Sequence, residues 1–230
     1  MKKVLIFDFG GTIVTDESDD LLHKAFYKEF LNKFNIPVSE EELFDFLKKK
    51  IRELLKTSHL KWENLKNAYT TYLAEFLEGK GISPKMEHLE TFKELYLIYH
   101  EKYTEPFPGA VETLIKLKSA GFRLAIISNI DNEIIEPVLK KLGIYEIFEL
   151  IVTSEELGYG KPAKEIFQYT LNKLGISPDN AIFIGDSLTN DVEGAKNMGI
   201  EAIHFGKDCK NWDELYSILI EKGVEHGDSH

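Results

Sequence analysis

The amino-acid sequence predicts an α/β protein in which a parallel sheet is covered by helices on both faces and interrupted by an all-helical insert. Short apolar runs bounded by turn residues predict buried strands. From about residue 110 onward, these runs alternate with amphipathic stretches, as in parallel strands joined by helices. Between about residues 16 and 104, strand-like runs are absent and apolar residues recur three and four positions apart, as on one face of a helix.

Five apolar runs have the composition of buried strands, and glycines mark where the intervening helices end. The runs are residues 4–7, 124–127, 150–152, 181–184 and 200–204. A glycine commonly follows the last residue of a helix, because it adopts the left-handed backbone conformation needed there. The glycines that fit this position are Gly121, Gly143, Gly175 and Gly199. The later part of the chain is therefore predicted to repeat helix and strand.

The insert is predicted to contain three or four helices. Phe26, Phe30 and Phe34 form an aromatic stripe at helical spacing. Ser39 followed by Glu42 is typical of a capping box, in which each residue hydrogen-bonds the backbone of the other at the start of a helix.

The limits of the insert follow from the linker behind it. Residues 105–109 read Glu-Pro-Phe-Pro-Gly, a stiff segment that leads back into the α/β part. We therefore predict a core domain of residues 1–15 and 105–230 and a helical domain of residues 16–104.

Composition restricts the partners that this chain is expected to bind. Of 230 residues, 39 are acidic and 28 basic, giving a formal net charge of −11, which disfavours nucleic acid and anionic membrane surfaces. No stretch of 18 apolar residues occurs, so no membrane span is expected. The only cysteine, Cys209, excludes an intramolecular disulfide and a multi-cysteine zinc site and favours a reducing cytoplasm. We expect a small-molecule substrate, and the sequence leaves the oligomeric state open.

Polar motifs follow the apolar runs, where open parallel sheets bind their ligands. Residues 8–12 read Asp-Phe-Gly-Gly-Thr and follow the first run, and Ser128 and Asn129 follow the second. Lys161 lies in a glycine-containing loop before a helix, and residues 185–191, which include Asp186 and Asp191, follow the fourth run. Three carboxylates at one sheet edge would repel one another unless a hard divalent cation lay between them. The sequence therefore predicts a metal site built from Asp8, Asp186 and Asp191.

These four motifs, in this order and next to these predicted elements, resemble the motifs of the haloacid dehalogenase-like (HAD) hydrolase superfamily. The resemblance covers nearly the whole chain. It implies a Rossmann-like core in which a helical cap of the first type is inserted after the first motif, which agrees with the helical block. It also implies that Asp8 is the nucleophile.

In the phosphatases of this superfamily, the matching residues form an aspartyl-phosphate at the nucleophile with the help of Mg²⁺. The resemblance implies that Asp8 attacks phosphorus, that Ser128 hydrogen-bonds the transferring group and that Lys161 balances its charge. The expected metal ligands are Asp8, the carbonyl of Gly10, Asp186 and, through water, Asp191. The expected substrate-binding residues are Gly11, Thr12 and Asn129.

Gly10 departs from the phosphatase pattern Asp-x-Asp-Gly-Thr, in which the second Asp protonates the leaving group. Losing such a group typically costs about 10²–10⁴ in rate. Dehalogenases of the superfamily lack this Asp too, but they use no Mg²⁺, and their fourth motif is Ser/Asn-rich where this chain has Asp186. Three functions stay open: a Mg²⁺-dependent phosphatase for a small phosphorylated metabolite, a 2-haloacid dehalogenase using Asp8, or a catalytically weak protein that binds a ligand or partner. Candidates for a substitute acid are Asp16, Glu17, Asp19 and Asp20.

Two further expectations concern residues elsewhere. The seven histidines show no ligand spacing, so no histidine-based metal site is expected. With Arg52 and Arg123 as the only arginines, a bidentate arginine clamp on the substrate is not expected.

Overall fold

The computed structural model describes residues 3–224 and contains one five-stranded parallel sheet. The strands follow the order β3-β2-β1-β4-β5, so that β1 lies in the centre. Their bounds are β1 Val4–Phe7, β2 Arg123–Ser128, β3 Leu150–Thr153, β4 Ala181–Gly185 and β5 Glu201–His204. All five predicted strands are confirmed, with ends that differ by no more than one residue. The predicted α/β class is confirmed.

Helices cover both faces of this sheet. They are α5 Ala110–Ser119, α6 Asn132–Lys141, α7 Ser154–Leu157, α8 Lys164–Leu174, α9 Gly194–Asn197 and α10 Trp212–Val224. Alternate residues of β1 belong to different hydrophobic clusters: Leu5 and Phe7 pack with Trp212, whereas Val4 and Ile6 pack with Phe167. This is the two-residue period of a strand that is buried on both faces.

Four helices form the segment between β1 and α5, as the sequence predicts. They are α1 Asp16–Lys33, α2 Glu40–Leu55, α3 Leu65–Gly79 and α4 Met86–Tyr103, and we call them the helical insert. Their apolar faces, together with Ile134 of α6, make a hydrophobic cluster distinct from the two on the faces of the sheet, in which Phe26, Phe30 and Phe92 are fully buried. The predicted capping box of α2 is half formed: Ser39 accepts from the Glu42 backbone N–H, but the Glu42 carboxylate pairs with Lys80 instead.

No helix within residues 3–224 is long and apolar enough to span a membrane. The core part and the insert part meet at the carboxyl-terminal edge of the sheet, where the predicted motifs lie.

Candidate functional site

A cavity of about 630 Å³ lies between the carboxyl-terminal edge of the sheet and the helical insert. Because β1 pairs in parallel with both β2 and β4, the ends of these three strands lie side by side. They place Asp8, Ser128 and Asp186 on one wall, which we call the core wall. The helical insert supplies the opposite wall, which we call the insert wall.

Asp8 lies just beyond the end of β1, and its backbone is hydrogen-bonded to the sheet. Its backbone N–H donates to the Ile184 carbonyl at 2.8 Å, which continues the strand pairing by one residue. Its Oδ1 lies 2.7 Å from the Lys161 Nζ, and the same Nζ lies 2.6 Å from the Asp191 Oδ1. Burial raises the pKa of Asp8 to about 7, although Lys161 opposes the shift. Burial alone would lower the pKa of Lys161, but Asp191 and Asp8 raise it, so this ammonium stays charged between them.

Asp186 completes a cluster of three carboxylates. Asp8, Asp186 and Asp191 each present an oxygen within 4.8 Å of the others. Asp191 is fully buried, and its Oδ2 accepts from the Ser187 N–H at 3.0 Å. Burial and the nearby Asp191 raise the pKa of Asp186. Lys161 pairs with two of the three carboxylates, so the cluster carries excess negative charge when ionised, which favours binding of a divalent cation.

Glycines let the backbone approach these carboxylates closely. Gly11 has a φ of +68°, and a Cβ on it would lie 2.6 Å from the Asp186 carboxyl carbon. A Cβ on Gly185 would lie 2.4 Å from an Asp191 oxygen. Gly10 differs from both, because a Cβ there would meet nothing within 4 Å. The position at which the pattern Asp-x-Asp-Gly-Thr has its second aspartate therefore has room for a side chain.

Asn129 connects the end of β2 to the loop that carries Lys161. Its Oδ1 accepts from the Lys161 N–H at 2.6 Å and from the Ser154 hydroxyl at 2.8 Å, and its Nδ2 donates to the Lys161 carbonyl at 3.0 Å. The buried Ser128 lies beside it on the cavity wall. Asn129 is thus placed to position Lys161, and its contact with a substrate stays a prediction.

Thr12 lies further from the cavity than the sequence suggests. It is fully buried, and it is not among the residues that line the cavity. Its carbonyl accepts from the Trp212 indole N–H at 3.2 Å. Its hydroxyl finds no hydrogen-bond partner among the described residues. Among the predicted substitute acids, Asp16, Asp19 and Asp20 line the cavity, whereas Glu17 does not.

The insert wall contains residues that the sequence analysis did not assign to the site. The histidine spacing predicts no histidine-based metal site, yet the fold brings Asp19, His23 and His100 together, with ligand atoms within 4.8 Å of one another. His23 and His100 are far apart in the chain and meet because α1 packs against α4. The spacing of Asp19 and His23, four residues apart on one helix face, was the available signal. Arg52 also lines the cavity.

The segment of residues 58–66 fastens the helical insert to the core. The carboxylate of Asp131 accepts from the Trp62 indole N–H and from the Lys66 backbone N–H, both at 3.1 Å. The backbone N–H of Trp62 donates to the Gly158 carbonyl at 2.7 Å. In addition, the Gly160 N–H donates to the Ser58 carbonyl at 2.8 Å. Gly160 precedes Lys161, so the insert is hydrogen-bonded to the loop that carries the buried lysine.

Comparison with known proteins identifies the family. The family of haloacid dehalogenase-like hydrolases matches residues 5–205, nearly the whole chain. The chain therefore belongs to this family and is a hydrolase, as the four motifs suggest.

Individual relatives include both phosphatases and dehalogenases. The chain is 29% identical over 204 residues to the glyceraldehyde 3-phosphate phosphatase of Methanothermobacter thermautotrophicus, covering 88% of this chain and 85% of that protein. The magnesium-bound hydrolase YfnB of Bacillus subtilis has the same fold, with a TM-score of 0.77, 23% identity and coverage of 96% and 100% of the two chains. A 2-haloacid dehalogenase from Pseudomonas syringae also shares the fold, with a TM-score of 0.72, 22% identity and coverage of 96% and 99%.

Proposed function

We propose that this hydrolase is a Mg²⁺-dependent phosphatase that acts on a small phosphorylated metabolite through Asp8. The observation that carries the proposal is the gathering of Asp8, Asp186 and Asp191 at one sheet edge, with Lys161 between two of them. Acidic oxygens in excess over a single lysine favour a hard divalent cation, which a transferring phosphoryl group also requires. The activity named for the Methanothermobacter relative supports the same reaction class.

The donor atoms of the core wall fit Mg²⁺. Asp8, Asp186 and the carbonyl of Gly10 would hold the ion, and Asp191 would hold it through water. All of these donors are oxygens, which Mg²⁺ prefers. Bound there, the ion would neutralise charge on the nucleophile and on the phosphoryl oxygens. The close approach of Gly11 to Asp186 keeps one of these carboxylates in place.

Hydrolysis would proceed in two displacements at phosphorus. A carboxylate oxygen of Asp8 forms a bond to phosphorus while the bond to the leaving oxygen breaks, and the leaving oxygen keeps the electron pair. Water then attacks the phosphorus of the aspartyl-phosphate, which releases inorganic phosphate and restores Asp8. Lys161 offsets the negative charge, while Ser128 and the backbone amides around Gly11 donate hydrogen bonds to the phosphoryl oxygens.

The proton for the leaving oxygen needs another source, because Gly10 offers no carboxyl group. We assign this step to water, to the substrate itself or to an acidic residue of the insert wall. Asp16 is one such residue, since it lines the cavity and is close enough to Asp186 to raise the pKa of that carboxyl. Asp20 lines the cavity too, but its carboxylate is paired with Lys48.

We further propose that residues 16–104 act as a cap that covers the site, chooses the substrate and excludes water. The separate hydrophobic cluster of the insert supports this division, as do its polar contacts with the core at Asp131 and residues 158–160. The partner is then a small anionic molecule. The low cysteine content agrees with our expectation of a cytoplasmic enzyme.

The second candidate is 2-haloacid dehalogenation through an ester at Asp8. The lack of a carboxyl group at Gly10 favours this reaction, because a halide leaves without taking up a proton. The test is turnover of phosphate esters and of 2-haloacids, each with Mg²⁺ and with EDTA. We expect phosphate ester hydrolysis that EDTA abolishes. Haloacid turnover that survives EDTA would contradict the phosphatase proposal and favour dehalogenation. If neither substrate class is turned over, but one ligand raises the melting temperature, the protein is a binding protein.

Gly10→Asp tests the missing acid directly. The open space at Gly10 accepts a side chain, so the variant should fold normally. We expect about a 10²-fold or larger gain on alkyl phosphates, whose leaving group needs a proton, and a much smaller gain on p-nitrophenyl phosphate. No gain on either substrate would show that another residue already supplies the proton, and equal gains on both would show that the new carboxyl acts on a step common to both substrates, not on leaving-group protonation.

A further inference from the structure

The insert wall holds a cluster of three residues that the proposed phosphatase reaction does not use. Asp19 and His23 lie one turn apart on α1, and His100 comes from α4. The Asp19 Oδ2 lies 3.5 Å from the His23 Nδ1, and the Asp19 Oδ1 lies 3.5 Å from the His100 Nε2. Both histidines are more than nine-tenths buried, while the Asp19 side chain is 53% exposed, and all three line the cavity.

Each imidazole is oriented by a backbone carbonyl. The Nδ1 of His100 lies 2.6 Å from the Tyr96 carbonyl, and the Nδ1 of His23 lies 2.8 Å from the Asp19 carbonyl. A carbonyl can only accept, so both Nδ1 atoms must donate, which leaves Nε2 as the lone-pair nitrogen of each neutral ring. Histidines that bind metals show this arrangement, in which the second ring nitrogen donates to a carbonyl or carboxylate.

The Nε2 lone pairs of the two neutral rings are not paired with a hydrogen-bond donor among the described residues. In the neutral ring, the Nε2 of His100 faces the Asp19 carboxylate, so that two acceptors meet unless a cation lies between them. The Nε2 of His23 is buried and finds no hydrogen-bond partner among the described residues.

We propose that Asp19, His23 and His100 form a second metal site, which takes a divalent transition-metal cation such as Zn²⁺. Two imidazoles and one carboxylate suit Zn²⁺ better than Mg²⁺, because nitrogen donors favour the transition metals. His100 would bind through the Nε2 that faces Asp19, whereas His23 faces the Asp19 carboxylate through Nδ1 and would bind through the free Nε2 across its ring. Three protein ligands would leave one coordination position free, and the exposed side of Asp19 places the site at the cavity. A cation here adds positive charge to the wall opposite Asp8. The proposal does not depend on phosphatase activity.

Protons compete for the same cluster. Imidazoles bind a metal in their neutral form, so the affinity for metal should increase with pH.

The test is Co²⁺ and Zn²⁺ binding by the full chain in the presence of excess Mg²⁺, which occupies the all-oxygen site of the core wall. We expect Co²⁺ to give the strong visible absorption of a four- or five-coordinate site with nitrogen ligands. We expect equimolar Zn²⁺ to remove it. Asp19→Asn, His23→Gln and His100→Gln should each weaken Zn²⁺ binding by about 10-fold or more in calorimetry. His59→Gln, at an exposed histidine outside the cavity, is the matched control and should leave binding unchanged.

Absence of the absorption band, or Zn²⁺ binding unchanged in Asp19→Asn and His100→Gln, would overturn the proposal. Because the two histidines are buried, circular dichroism must confirm that their variants fold. Asp19→Asn removes a largely exposed carboxylate and decides the question if the histidine variants do not fold. Metal binding is read without substrate, so its failure is separate from any failure of the proposed reaction.

Discussion

The two walls of the cavity hold polar groups in different ways. The core wall gathers Asp8 and Asp186 from strand ends and Asp191 from the helical turn Leu188–Glu193 behind β4. The backbone is so close that Gly11 and Gly185 cannot carry a side chain without movement. On the insert wall, the polar residues stand on two helices among aromatic rings, such as those of Tyr27 and Tyr96. The edge of a sheet holds the reacting atoms in position within narrow limits. Side chains on a helix face of the opposite wall can be substituted without moving those atoms. In the proposed function, this difference assigns the chemistry to the core wall and substrate selection to the insert wall.

Substitutions on the core wall and on the helical insert should differ most in their effect on turnover of phosphate esters. Asp8→Asn removes the nucleophile and should lower turnover of phosphate esters by at least about 10⁴-fold. The matched control is Asp45→Asn, at an exposed carboxylate of α2 on the helical insert, which should change turnover little. Phosphatase activity that survives in Asp8→Asn would show that the reaction does not take place at this residue of the core wall.

The next effect is on stability. Lys161→Met leaves Asp8 and Asp191 buried without their shared cation, which should lower the free energy of unfolding by about 3–5 kcal/mol in EDTA. Mg²⁺ should restore part of the loss, because it compensates the same carboxylates. The control is Lys164→Met, at an exposed lysine of α8. Urea unfolding measures both variants, and similar losses in the two would contradict the paired burial of Lys161.

The stability of the junction between the helical insert and the core should depend on pH through Asp131. Burial raises the pKa of this carboxyl from 3.8 to about 6. The protonated form is favoured in the folded state, so its stabilisation is present below pH 4 and is lost as the pH rises through 6. The shift corresponds to about 3 kcal/mol over that interval.

Asp131→Asn isolates this effect, because other buried carboxyls titrate in the same range. Urea unfolding from pH 4 to 7 should show the wild type losing stability relative to the variant as the pH rises. Asp45→Asn should show no such trend relative to the wild type. A constant difference between wild type and Asp131→Asn would mean that Asp131 titrates normally.

The smallest effect concerns the surface ion pair between Lys66 and Glu133, which also joins insert and core. Glu133→Gln should lower the free energy of unfolding by less than about 1 kcal/mol, and by less still at high salt. A loss comparable to that expected for Lys161→Met would show that the insert is held mainly by surface charge.

The sequence predicts the core wall better than the insert wall. The five strands follow from continuous apolar runs, and parallel pairing then places the residues behind them at one edge. Asp8, Ser128 and Asp186 could therefore be assigned to one site before any coordinates were known. The distant backbone contacts of Asn129 with Lys161 have no local signal.

The insert wall was harder to predict because its residues meet through helix packing. The pairing of His23 with His100 depends on how α1 and α4 rotate against each other, which an amphipathic pattern does not fix. The fastening of Trp62 to Asp131 joins a loop of the insert to the start of α6, and neither sequence segment indicates the other.

The most direct test of this account is to trap the phosphoryl group on the core wall. Enzyme mixed with a phosphate ester and Mg²⁺ is quenched in acid within one turnover, digested and analysed by mass spectrometry. The account predicts a phosphoryl group on the peptide that contains Asp8, released by hydroxylamine and absent in Asp8→Asn. A hydrolysing enzyme with no such adduct, or with the phosphoryl group on another residue, would contradict it.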